Sequence, residues 1–216
     1  MAKTFSKRVA SLDKGFVLSP ERYHPDKFLP SNGGVKLSEL VYEVRESVFR
    51  SYKGVPGNPN AIVFDTSDAY NGFLNNERSL EPIAKLGSQK KKIARGDVII
   101  SRLRPYLRQV AFVGNEYYDH EMLLGSTEFF VLRPLLENDD VSYLVPFLLS
   151  SEVQKVLSIS VEGAHHPRFN SNTLLELEIP RSYYEKRNEI SKNVTMAIQQ
   201  YNTARKNMQH LWSKIT

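Results

Sequence analysis

His165 and His166 lie side by side in the run Gly163-Ala164-His165-His166-Pro167-Arg168-Phe169-Asn170, the part of this chain richest in groups that could do chemistry. Metal ligation fits them poorly. Adjacent residues point to opposite faces of a strand and lie about 100° apart on a helix, so neighbouring imidazoles seldom share one ion. His-x-x-x-His spacing is absent, and so is cysteine, which excludes disulfides, thiolate nucleophiles and cysteine-held zinc or iron–sulfur sites. No glycine-rich dinucleotide or phosphate loop is present. The tetrad that a DNA methyltransferase needs, Asp/Asn-Pro-Pro-aromatic, is approached only by Asn58-Pro59-Asn60, which fails at its third residue. Ser126 sits in Gly125-Ser126-Thr127 rather than a nucleophile elbow. Paired carboxylates with a Glu-x-Lys are also missing. Two readings of the loop stay open. One is a polar loop with no special role. The other is a loop that offers His165, His166, Arg168 and Asn170 to a surface, with imidazolium donors, a guanidinium fork for guanine or phosphate, and an amide that pairs with adenine.

A second set of residues suits binding. Lys85, Lys90, Lys91, Lys92, Arg95, Arg102, Arg104 and Arg108 are opposed between 85 and 108 only by Asp97. The next stretch, 109–140, has seven acids and one base, Arg133. Segregated charge of this kind can make a positive face that attracts a polyanion, unless the blocks neutralise one another in the fold. Arg102 has a structural reading as well, pairing with Asp97 or Glu128. The formal net charge of +5 resides after residue 180, where seven basic side chains face two acidic ones; residues 1–180 carry 22 of each.

The elements that must hold these residues follow from pattern. A chain of 216 residues, 41% hydrophobic and 25% charged, can bury a core and reads as one domain with an appendage or two small ones. No apolar run reaches the roughly 18 residues of a membrane span, and Met1–Ala10 lacks a signal peptide's hydrophobic stretch, so a cytoplasmic location is expected. Ala61–Phe64, Val98–Arg102, Gln109–Val113 and Ser126–Arg133 are predicted strands, the last too apolar to face water on one side. Val141–Val156 is predicted as one helix with Pro146 in its first turn. Leu37–Arg50 and Thr173–Ile179 are short helix or strand, Tyr52–Asn60 is loop, and 66–81 is polar and irregular. After Pro180 no Gly or Pro remains, and heptads counted from Ile190 place Ile190, Ala197, Ala204 and Leu211 at a, and Val194, Tyr201, Met208 and Ile215 at d. A helix over 183–215 would be about 50 Å long. A period of 3.5 asks for a partner helix, and a coiled coil is preferred over a helix lying along its own domain. The expected fold class is α/β (α+β), a globular domain over 1–180 and a long C-terminal coiled-coil helix over 181–216.

The run Gly96-Asp97-Val98-Ile99-Ile100-Ser101-Arg102-Leu103-Arg104-Pro105-Tyr106-Leu107 resembles the central motif of target recognition domains in type I restriction-modification specificity subunits and in some fused DNA methyltransferases. Gln109–Val113, the block Gly125–Pro134, the helix Tyr143–Ser151, the closing block Gly163–Phe169 with Leu174, Leu177 and Ile179-Pro180, and the opening segment Glu21-Arg22-Tyr23-His24-Pro25 are similar to the family's further blocks in order. The resemblance covers about residues 20–216. It departs in size, since a full subunit has two recognition domains and two long helices and this chain has room for one of each, and in Pro180-Arg181-Ser182 where the family has Pro-Leu-Pro.

The resemblance implies a non-catalytic chain. It implies recognition of double-stranded DNA, partnership with DNA methyltransferase subunits with or without a restriction subunit, and no cofactor on this chain, S-adenosylmethionine belonging to the partner. The family's DNA-contact residues vary with target, so the candidates come from residue type: Lys90, Lys91, Lys92, Arg95, Arg102, Arg104 and Arg108 for phosphates, and the 163–172 loop with the 66–79 stretch for bases. One domain reads one half-site, so two copies joined through their helices, antiparallel, would read an inverted repeat. A detached module of a fused methyltransferase and restriction enzyme, an assembly protein acting through its helix, and a nuclease using His165 or His166 are the alternatives.

Overall fold

The computed structural model describes residues 33–50, 59–75, 77–117, 122–163 and 166–214. The opening segment, most of the 52–60 loop, His165 and Ile215 lie outside these residues. The first half contributes short strands β1 (Val35–Lys36), β2 (Val41–Glu43), β3 (Ser47–Val48), β4 (Asn60–Phe64), β5 (Ala69–Tyr70), β6 (Phe73–Leu74) and β7 (Leu80–Pro82). The centre follows with β8 (Lys90–Ile93), β9 (Val98–Ser101), β10 (Val110–Phe112), β11 (Met122–Ser126) and β12 (Phe129–Pro134). Helices α1 (Leu144–Leu149), α2 (Ser151–Ile159) and α3 (Ser171–Leu175) precede β13 (Glu178–Ile179), and α4 (Arg181–Tyr184) leads into α5 (Arg187–Trp212).

Two sheets and a helical layer make the body. One sheet has the order β3-β8-β11-β4-β7, with β11 and β4 parallel and the other neighbours antiparallel; the second is antiparallel in the order β10-β9-β12-β2. Side chains alternate across a strand, and β9 and β12 show what that achieves. Val98, Ile100, Phe130 and Leu132 face one core with residues of α1, α2 and α3, while Ile99, Phe129 and Val131 face a second core with Ile62, Phe64, Ile93 and Leu123 of the other sheet. The four-stranded sheet is covered on both faces, which is why Phe129–Leu132 is an unbroken apolar run. Gly125, one residue before the end of β11, is bare because a Cβ there would lie 3.1 Å from the Phe129 ring.

The predicted central strands are all present. The single helix expected over 141–156 is two, broken at Ser150, whose extended backbone caps α2 through a bond from the Val153 N–H to Ser150 Oγ of 3.3 Å. The 66–81 stretch is more ordered than its polarity suggested. It holds a 3-10 turn, the β5–β6 hairpin and part of β7, and the buried carboxylate of Asp68 organises it by accepting from Arg78 Nε and Asn75 Nδ2, each at 3.0 Å.

Helix α5 is one uninterrupted element of 26 residues, about 39 Å long. It lies along the body. Arg187, Ile190, Ser191, Val194, Thr195, Ile198, Tyr201, Asn202 and Arg205 are its buried or half-buried positions. Those positions advance by threes and fours at the period of a straight helix, as a helix on its own domain should.

Candidate nucleic-acid interface

The site is built where β9 runs out. Ser101 Oγ accepts from the Leu103 N–H at 3.2 Å, turning the chain off the sheet. Arg104 then takes φ 50°, Pro105–Leu107 form one 3-10 turn, and Arg108 takes φ 52°. Leu107 N–H bonds Arg104 O at 2.9 Å and Arg108 N–H bonds Pro105 O at 2.8 Å. A left-handed backbone costs a residue with a side chain roughly 1–2 kcal/mol, so two of them bracketing one turn need support. Pro105 supplies some of it: its φ is fixed by its ring and it is buried against the body. The turn packs on α2. What remains outside is the tip, with Arg104 and Arg108 exposed, Tyr106 65% exposed and Leu107 47% exposed.

A second loop closes on the first. Gly163 (φ 98°) makes the bend, and Glu162 and Arg168 exchange backbone bonds of 2.8 and 3.0 Å. Arg104 N–H reaches Pro167 O at 3.3 Å and Phe169 N–H reaches Arg102 O at 3.2 Å. Phe169 anchors the loop by burying its ring beside Phe130, centroids 5.4 Å apart. Glu128 locks the junction: Arg168 donates to both its oxygens (2.8 and 2.7 Å) and Arg102 to one (3.0 Å). These guanidinium bonds hold the Glu128 carboxyl far below its usual range, at about 2. The β5–β6 hairpin completes the site from a third side, with Asn71 N–H on Arg108 O at 3.4 Å and Gly72 N–H on Val110 O at 2.8 Å.

Three separate stretches that sequence marked for binding therefore meet at one end of the body. The cations do not all share a role there. Arg104 and Arg108 pair with no acid among the described residues. Arg102 and Arg168 serve Glu128, one of the two partners foreseen for Arg102; Asp97, the other, is buried and holds Arg133 at 2.8 Å. Asn170 Oδ1 accepts from the N–H and hydroxyl of Thr173, capping α3, which occupies the acceptor that adenine pairing needs. His166 is exposed at the loop's crest, its carbonyl accepting from Arg168 at 3.0 Å. Lys90, Lys91 and Lys92 lie half-buried along β8, bonded to Asp65, Glu43 and Glu46. Acids from three earlier segments thus neutralise a block that looks uniformly positive in sequence. Arg95 is exposed within the β8–β9 turn and is engaged within the chain. Sequence reasoning missed Glu128 as the keystone, Asn71 as a brace, and Tyr106 and Leu107 as the exposed tip. The one available signal was two large apolar residues between arginines after a proline.

The heptad positions divide between two surroundings. Ile190 and Val194 pack on the core beneath α1, and Tyr201 stacks on Phe73 with centroids 4.1 Å apart while its hydroxyl bonds Tyr70. Arg205 follows with an ion pair to Glu77 at 2.7 Å. Ala197, Ala204, Met208 and Leu211 are exposed. A repeat of 3.5 drifts about 20° per heptad on a straight helix, so the seam begins against the body and winds into solvent. Ile190, Val194 and Tyr201 thus face the body, and Ala197, Ala204, Met208 and Leu211 face solvent.

This arrangement of two sheets, three motif loops at one end and a long helix is the fold of the target recognition domain of type I restriction-modification specificity subunits. The solved HsdS subunit from Thermoanaerobacter tengcongensis is 19% identical, with a TM-score of 0.55 over 88% of this chain and 48% of its own. A chain from a structural study of complex assembly and conformational transition in the type I R-M system is 22% identical, with a TM-score of 0.59 over 85% of this chain and 47% of its own. This chain thus spans about half the length of either. No family model matches it, and no curated protein does. Among the described residues no helix is long and apolar enough to cross a membrane.

Proposed function

We propose that this chain is the DNA-reading component of a type I restriction-modification assembly and makes or breaks no covalent bond itself. One observation carries the reading: at the loop end of a recognition-domain fold, Arg104 and Arg108 stand exposed on a braced turn with no acid among the described residues to quench them. Cations held this way meet phosphates, set affinity and fix register. Base edges then fall to the neighbouring loop and its exposed His166. Lys90, Lys91 and Lys92 act in this reading by shaping the sheet beneath the site. A methyltransferase subunit supplies the chemistry and binds S-adenosylmethionine, and the adjoining α5 holds it or a second copy of this chain. A homodimer joined through the solvent-facing part of α5 would read an inverted repeat.

The test is fluorescence anisotropy on labelled duplexes, first with random sequence at low salt and then with duplexes selected from a random pool. Binding that tightens on the selected pool and weakens on Arg104→Ala/Arg108→Ala supports the reading. Absence of binding to any duplex at low salt removes it.

A further inference from the structure

The tip of the Arg104–Arg108 turn has a composition that phosphate binding alone does not call for. Tyr106 and Leu107 are large, apolar and turned to solvent at the outermost point of the turn, while Arg104 and Arg108 flank them. The chain holds them there at the expense of two left-handed arginines, in a turn fixed by a buried proline, by Pro167 O, by Asn71 and by the Glu128 bridge. A turn with no task beyond connecting β9 to β10 would relax to ordinary backbone and bury or lose the aromatic ring. Rigidity, flanking charge and an apolar point together describe a tool that presses on a stack of bases while its cations grip the backbone on either side.

We infer that Tyr106 and Leu107 form a wedge that enters a base step of the bound duplex and partly unstacks it, with Arg104 and Arg108 on the adjacent phosphates. The inference rests on the DNA reading above and adds the mode of contact. Unstacking is easiest at pyrimidine–purine steps, so the wedge contributes sequence preference at a position that no hydrogen bond reads. It also kinks the duplex away from the body, because the step opens on the side of the wedge.

The experiment uses the full chain and a duplex selected by it from a random pool, with 2-aminopurine replacing each adenine in turn. A wedge brightens the base at one step several-fold on binding, because unstacking relieves quenching. Tyr106→Ser/Leu107→Ser abolishes the brightening and weakens binding to the selected duplex about tenfold or more, while the salt slope stays that of the wild type. Tyr106→Phe keeps the brightening, which shows that ring area is the requirement. Both positions are exposed, and an unchanged melting temperature of the double-serine variant excludes misfolding. If the wild type binds yet no position brightens, or the double-serine variant binds and selects as the wild type does, the wedge is overturned and the DNA reading stands. If the wild type binds no duplex, the DNA reading itself fails.

Discussion

Arg168 grips Glu128 at two points, Nε to Oε2 at 2.8 Å and Nη2 to Oε1 at 2.7 Å, and so joins the closing loop to the start of β12 across 40 residues of sequence. Through the same carboxylate Arg102 is tied in at 3.0 Å. A fork spent this way is unavailable to guanine. Arg168 thereby sets the geometry of the loop that carries His166.

Glu128→Gln should therefore loosen the site more than it destabilises the body. A partly solvated charge-assisted pair is worth about 1–2 kcal/mol, so the expected loss in urea unfolding is of that order. The pH dependence follows from the carboxyl's depression to about 2 in the folded chain. A group depressed on folding stabilises fully above its unfolded value near 4.5, and the contribution disappears as pH falls toward 2. Stability of the wild type should drop over that window and that of Glu128→Gln should drop less. Equal acid profiles would show the bridge to be absent in solution.

Arg104→Gly and Arg108→Gly separate strain from function. Glycine adopts φ near 50° without penalty, so each change should raise stability by about 0.5–1 kcal/mol in chemical denaturation. Each also deletes an exposed cation. If both arginines touch phosphate, the double variant should bind DNA more weakly on all sequences and flatten the logarithmic salt slope by about 2. Lys91→Ala should do the reverse. It takes from the Glu43 carboxylate its nearer partner, at 2.9 Å, and leaves the longer Arg45 contact at 3.6 Å, so stability falls while the salt slope holds.

Arg133→Ala probes the buried end of β12. It removes the two bonds of 2.8 Å that pair Asp97 with a cation and leaves the carboxylate the Ala94 N–H at 2.7 Å; burial already pushes that carboxyl upward. An unpaired buried charge costs about 3–5 kcal/mol, and that loss in urea unfolding is the expectation. Arg133→Ala/Asp97→Asn should recover part of it, because no buried charge is left.

The four strands that were legible were so because their apolar runs are local. Val98–Ser101 and Phe129–Pro134 carry β-branched and aromatic residues between turn signals, and both faces of that sheet are covered. The site was half legible. Its segments stood out as basic or polar loops, but which cations stay exposed depends on acids 25 to 48 residues away, such as Glu43 for Lys91 and Asp65 for Lys90. No spacing in the sequence encodes such pairs. The break at Ser150 escaped for a related reason: the apolar positions of α1 and α2 fall on one helical pattern, and only the cap geometry separates them.

The heptad seam misled for a different reason, and the correction changes how self-association should be tested. Tyr201 looked like an interface residue, yet it stacks on Phe73 and bonds Tyr70, so Tyr201→Asp would tear α5 from the hairpin and report on folding. Met208, Leu211 and Trp212 are exposed on the last turns of the helix. Met208→Asp/Leu211→Asp alters only that solvent-facing part and should leave the melting temperature within a few degrees, as exposed substitutions do. If two copies pair there, the double change buries carboxylates without partners and sedimentation should shift from dimer to monomer. DNA affinity for an inverted repeat should then fall to that of one half-site, while Tyr106 and Arg104 act as before. A dimer that persists through both substitutions would place its interface elsewhere on the chain.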